Sequence, residues 1–186
     1  MNSEQRAVYS LFATSLFLIL RRPSVPRLHW EDFTVGQVAE YGPRLVTAEE
    51  IKAFAAEFDP QPMHLDEDAA RATMMGGLCA SGWHSCAILM RIIADGFILD
   101  SSSMGGPGCE EIRWLAPVRP GDRLSVRAKV LDTRASKSRR EMGIVKIRFG
   151  MFNAAGIEVM TLTTNLMFGR RESAAPPEHA LDAQPR

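Results

Sequence analysis

The run from Phe54 to Asp66 carries an aspartate, Asp59, and a histidine, His64, with Pro60 and Pro62 between them. Proline disfavours helical geometry in the residue before it, so Asp59 and Gln61 are expected to be extended and the intervening chain non-helical. A short, stiff loop just past a helix can then bring carboxylate and imidazole together. Such a pair can hold one water and move its protons, and positioned acid–base groups typically give roughly 10²–10⁴ in rate. Spacing alone leaves a plainer reading open. An aspartate after a helix is ordinarily a turn former, and a histidine near a helix start is ordinarily a surface or capping group.

Further along, Ala80-Ser81-Gly82-Trp83-His84 opens an apolar stretch on a glycine. Free backbone N–H groups and the positive end of a helix dipole face outward from such a start. A carbonyl placed there would have developing negative charge stabilised, and one donor of this kind is typically worth about 10²–10³ in rate. Glycine would let a substrate approach closely. The alternative is that Gly82 is a helix-entry residue and Ser81 an ordinary N-cap.

Other polar groups offer less. His84 reads more readily as a hydrogen-bonded core histidine than as a pocket residue, and His29 and His179 read as exposed. Gly105-Gly106-Pro107-Gly108 lacks the Lys-Ser/Thr ending of a phosphate loop and reads as a loop into a strand. Arg134, Lys137, Arg139 and Arg140 cluster at a hairpin tip, where a solvated basic turn is the simpler reading and a phosphate contact the sharper one. Cys79, Cys86 and Cys109 are odd in number and lack a C-x-x-C spacing, which argues against a disulfide scaffold or zinc site. They read as reduced, buried thiols of a cytoplasmic protein.

The elements that must position these groups follow from periodicity. A strand is expected over 37–46. Thr47-Ala48-Glu49-Glu50 is a capping box opening a helix, with Ile51, Phe54, Ala55 and Phe58 on one face, that Pro60 stops. Asp66 is the expected N-cap of a short helix through about Thr73, and Gly76-Gly77 breaks the chain. A helix over 81–94 reads as apolar almost all round, hence centrally buried. Beyond Cys109 the period becomes two: Leu124, Val126, Ala128 and Val130 alternate with Arg123, Ser125, Arg127 and Lys129, Ile147 and Phe149 alternate with Lys146 and Arg148, and 161–168 reads as a further strand. Pro120-Gly121-Asp122 marks a tight turn. This order gives an α+β fold with a helix on one face of an antiparallel sheet.

Lys+Arg and Asp+Glu are both 22 in the 186 residues, so no basic excess points to nucleic acid or a membrane surface. The apolar stretch over 9–20 is short for a spanning helix and loosely like the apolar part of a secretory signal, but no small-residue cleavage site follows it; a targeting or anchoring segment is the second reading, a loosely attached extension the first. Residues 1–27 read as an N-terminal extension, 28–171 as one domain, and 172–186 as a disordered tail.

Together the pieces resemble the MaoC-like dehydratases, which include the (R)-specific enoyl-CoA hydratases. The family motif, an aromatic and small residues, then Gly-Asp-x-Asn-Pro-aliphatic-His and an Asp two residues on, stands here as Phe54 through Asp66, with Asp59, Pro62, His64 and Asp66 in place. Ser81-Gly82-Trp83 stands where many members have His-Gly-Met. Arg113-Trp114-Leu115-Ala116-Pro117-Val118-Arg119-Pro120-Gly121-Asp122 is similar to the family's first long strand and its turn.

The resemblance implies a hot-dog fold, an antiparallel sheet wrapped around a long central helix, paired into a homodimer or dimer of dimers. It implies reversible hydration of a 2-enoyl-CoA to an (R)-3-hydroxyacyl-CoA. Asp59 and His64 would grip the water, and the Gly82 amide would polarise the thioester oxygen. No metal or redox cofactor is implied, and CoA enters with the substrate. The chain departs from the pattern at Phe58 (for Gly), Gln61 (for Asn), Ser81 (for His) and Met90 (for a serine of some hydratases). Phe58 is expected to crowd the loop beside Asp59, Gln61 to change a supporting hydrogen bond, and Met90 to alter the acyl pocket. With Ser81 and Trp83 these residues are expected to bind substrate. Two rivals are a hot-dog acyl-CoA thioesterase, disfavoured because no Asp or Glu lies between Ser81 and Ala94, and a non-catalytic acyl-CoA binding protein.

Overall fold

The structure, a computed structural model, describes residues 25–171. The expectations for the apolar stretch over 9–20, the tail over 172–186 and His179 lie outside them. Five strands form one antiparallel sheet: β1 (Val38–Leu45), β2 (Cys109–Trp114), β3 (Arg123–Ala135), β4 (Met142–Phe152) and β5 (Glu158–Gly169), in the order β1-β3-β4-β5-β2. Between β1 and β2 the chain forms α1 (Ala48–Phe58), α2 (Pro62–Leu65), α3 (Glu67–Arg71) and α4 (Gly82–Gly96). The long helix α4 lies on the sheet, which is the hot-dog arrangement.

The period-two pattern decides which side of the sheet faces α4. Leu124, Val126, Ala128 and Val130 of β3 are buried, whereas Arg123, Arg127 and Lys129 between them are exposed. Antiparallel pairing sets Val130 opposite Ile147 and Phe149 opposite both Ala128 and Leu162, so one apolar surface runs across three strands. Ile88, Leu89, Ile92 and Ile93 of α4 join the same core. Contrary to expectation, α4 is not apolar all round in its packing. Trp83, Met90 and Arg91 leave one face open to solvent.

Short-range signals set the helix ends. The Thr47 Oγ1 accepts the Glu50 N–H at 3.2 Å while the Glu50 carboxylate accepts the Thr47 N–H at 3.1 Å, so the capping box forms as its spacing predicts. Pro60 follows the end of α1. Pro62, however, opens the one-turn helix α2 rather than prolonging a loop, because a proline at the first helical position has no N–H to leave unpaired. His64 is therefore on a helical turn, which corrects the expectation of a non-helical link. Gln61 is extended, as expected. Asp66 caps α3, its carboxylate accepting the Ala69 N–H at 2.8 Å.

Candidate active site

Four segments converge on a cleft of about 620 Å³: the end of α1 with α2, the loop 74–80, the start of α4, and residues 114–119 at the end of β2 and beyond it. Asp59 stands at the C-cap of α1 and His64 on α2, so a helix end and a helical turn fix their backbones five residues apart. The Asp59 Oδ2 lies 3.6 Å from the His64 Nε2. That exceeds a direct hydrogen bond and leaves two proton acceptors facing a common point.

Each partner is held from behind. The Gln61 amide donates to Asp59 Oδ1 at 2.7 Å, and the Ser81 hydroxyl donates to Asp59 Oδ2 at 2.6 Å. The Ser81 bond first, then that from Gln61, hold the Asp59 carboxyl below the usual carboxylate range; partial burial opposes them and His64 assists. On the buried His64, Nδ1 lies 2.8 Å from the Cys79 carbonyl oxygen. A carbonyl can only accept, so Nδ1 carries a proton, and in the neutral form of the ring this leaves the Nε2 lone pair facing Asp59. A water beside the pair, within hydrogen-bond reach of both atoms, can donate one hydrogen to each.

Gly82 begins α4, where no intrahelical carbonyl reaches its N–H. Its lack of a side chain serves a neighbour. A Cβ there would stand 2.6 Å from Cε2 of Trp114, whose indole N–H donates to the Gly82 carbonyl at 2.9 Å. Close approach by Trp114, rather than by substrate alone, accounts for the glycine. Trp83 meets Trp114 edge-to-face at 5.7 Å and is 60% exposed on the cleft rim.

Six of the eight residues singled out from the sequence thus line this cleft: Asp59, Gln61, His64, Ser81, Gly82 and Trp83. Phe58 and Met90 do not. Phe58 is 63% exposed and turned onto Phe54, one helical turn back, at 5.0 Å between ring centres, so it does not crowd Asp59. Met90 lies two turns along α4 and is 52% exposed, away from this cleft. Trp114, Arg119 and the Cys79 carbonyl were missed. A main-chain acceptor has no sequence signature, and Trp114 and Arg119 sat in the quoted 113–122 motif without an assigned partner.

The remaining candidates fall elsewhere. A larger cavity, about 1000 Å³, lies between β1, α1 and α4 and is lined by His84 but by neither Asp59 nor His64, so the facing pair belongs to the smaller cleft. His84 is buried against Phe54, yet its Nδ1 has no hydrogen-bond partner, contrary to the expectation of a bonded core histidine. His29 is half-buried rather than exposed. Arg134, Lys137, Arg139 and Arg140 are exposed around the β3–β4 turn. All three cysteines are free; Cys79 is buried, whereas Cys109 is exposed.

This geometry coincides with clear likenesses. The family model of the MaoC-like domain matches residues 32–148. A Bacillus subtilis (strain 168) protein described only as uncharacterized, YdeM, is 34% identical over 130 residues, 69% of this chain and 90% of that one. The crystal structure of a MaoC-like dehydratase from Rhodospirillum rubrum is 43% identical, covers 77% of this chain and 98% of its own, and superposes with a TM-score of 0.72. An unliganded R-hydratase from Pseudomonas aeruginosa is 26% identical, covering 81% and 94% respectively, with a TM-score of 0.62. The chain belongs to the MaoC-like domain family.

Proposed function

We propose that this protein is a hydro-lyase that adds water reversibly to a 2-enoyl-CoA, giving an (R)-3-hydroxyacyl-CoA. The observation that carries the reading is the facing pair, Asp59 Oδ2 and His64 Nε2 at 3.6 Å, with every other polar atom of the two side chains already engaged. Water donates one hydrogen to each acceptor. Its oxygen bonds to C3 as the C2–C3 π electrons move towards the thioester carbonyl. His64 Nε2 takes the proton released and returns it to C2 of the enolate. The Gly82 N–H, at the positive end of α4, stabilises the enolate oxygen. Asp59, kept ionised by Ser81 and Gln61, orients the water and offsets the charge of the transient imidazolium.

This acid–base reaction takes no metal or redox cofactor, and CoA arrives as part of the substrate. The free edge of β2 and the exposed Trp83, Trp114 and Leu115 beside the cleft support a homodimer in which a second copy covers this rim. A cytoplasmic location fits the free thiols and a CoA-linked substrate. The test is incubation with a panel of enoyl-CoA thioesters, following loss of the conjugated double bond and release of free thiol together. Hydration without thiol release is expected. Thiol release would instead identify a thioesterase, and neither signal a binding protein.

A further inference from the structure

His64 can act as a base through Nε2 only while its proton stays on Nδ1, and that depends on where the Cys79 carbonyl points. Cys79 lies in the loop joining α3 to α4, without helix or strand of its own. What holds this loop is Arg119. Its guanidinium donates through Nη1 to the Gly77 carbonyl at 3.1 Å and the Leu78 carbonyl at 3.4 Å, and through Nη2 to the Met75 carbonyl. On the other side of Cys79, the Ala80 N–H donates to the carbonyl of Val118, the residue before Arg119, at 2.8 Å. The peptide groups before and after Cys79 are thus both fastened to one dipeptide.

The loop is built to receive the guanidinium. Gly76 and Gly77 both have positive φ, 66° and 153°, a backbone conformation in which side chains are rarely tolerated, and the carbonyl of Gly77 meets the guanidinium. A Cβ on Gly77 would approach Arg119 Nη1 to 3.2 Å. Arg119 itself makes no ion pair among the described residues. Its own N–H is fixed by the Asp122 carboxylate at 2.8 Å, which anchors the turn after β2. A planar guanidinium can reach several diverging carbonyls at once, whereas an ammonium acts as a single point.

We propose that Arg119 is a positioning residue that sets the tautomer and ring orientation of His64 through the Cys79 carbonyl. The proposal rests on His64 serving as the base in the reaction above, but its test does not depend on that reaction. In protein labelled with ¹⁵N-histidine, the His64 signals, identified by their loss in His64→Gln, should show the proton on Nδ1. In Arg119→Gln they should show both tautomers, and hydration should lose about 10²-fold in kcat with KM nearly unchanged. Arg119→Lys should fall between the two in both readouts, and it carries the same test should the Gln variant fail to fold. A pure Nδ1–H tautomer persisting in both variants would overturn the proposal. So would a raised KM at unchanged kcat, the mark of a direct substrate contact. If the wild type hydrates no enoyl-CoA, the functional reading fails while the tautomer still decides the role of Arg119.

Discussion

The Ser81 hydroxyl donates a 2.6 Å hydrogen bond to Asp59 Oδ2 across 22 residues of sequence, and the Ser81 Oγ itself accepts the Trp83 N–H at 3.2 Å. One side chain therefore caps the central helix and holds the carboxylate that faces His64. Helix entry and acid–base geometry are a single local arrangement. This gives a physical role to a serine standing where the family pattern has histidine.

Replacing Ser81 by alanine should remove both functions. Loss of an N-cap costs about 0.5–2 kcal/mol. Loss of a hydrogen bond to a charged group costs about 1.5–3 kcal/mol, or roughly 10–100-fold if it is expressed in catalysis. Ser81→Ala should lower both the melting temperature and kcat. The Asp59 pKa should rise, because Ser81 is the largest of the influences that depress it. In the wild type that depression stabilises the fold above the ordinary carboxylate pKa, and the contribution is lost as pH falls through the lower folded value. An unchanged acid limb of the denaturation profile in the variant would contradict this role.

Gly82→Ala tests the packing reading of the glycine. The new methyl must displace Trp114, whose nearest ring atom would lie 2.6 Å away. Overpacking of this kind costs about 1–3 kcal/mol. Trp114 is half exposed and can swing outward, so the fold should survive at the low end of that range. Tryptophan emission should shift to longer wavelength and hydration should fall. Unaltered emission with normal activity would mean that the indole contact is dispensable.

His84 should govern much of the acid sensitivity of the fold. Burial first, and then the nearby charge of Arg44, push its imidazole down to about 4 from 6.5. The unfolded chain takes up this proton near pH 6.5 and the folded chain only near 4. Stability is therefore full above that window and falls as pH drops through it, by about 3 kcal/mol in all. His84→Phe keeps an aromatic ring against Phe54 and removes the titration. Urea midpoints measured between pH 7 and 4 should fall less steeply in the variant; parallel curves would contradict the assignment.

What the sequence revealed follows the range of each interaction. The Thr47–Glu50 capping box and the alternation over Leu124 to Val130 were legible because they are settled within a few residues. Asp59 and His64 were legible as a pair through the proline-marked motif and its resemblance, although Pro62 starts a helical turn rather than a loop. Phe58 and Met90 were singled out as departures from the family pattern, and a departure does not say which way the new side chain turns. Ile51 and Ala55 are buried on α1 while Phe58 on the same stripe is not. Arg119 was invisible as an active-site support because its partners are main-chain carbonyls, which any residue supplies.

The most direct test of the account is the rate of enoyl-CoA hydration in Asp59→Asn and His64→Ala beside the wild type, with melting curves to establish that each variant folds. Each substitution removes one of the two acceptors to which the proposed reaction assigns the water. Each should cost about 10²–10⁴-fold in rate while leaving the protein folded. Near-normal hydration by either folded variant would contradict the central role given to this pair.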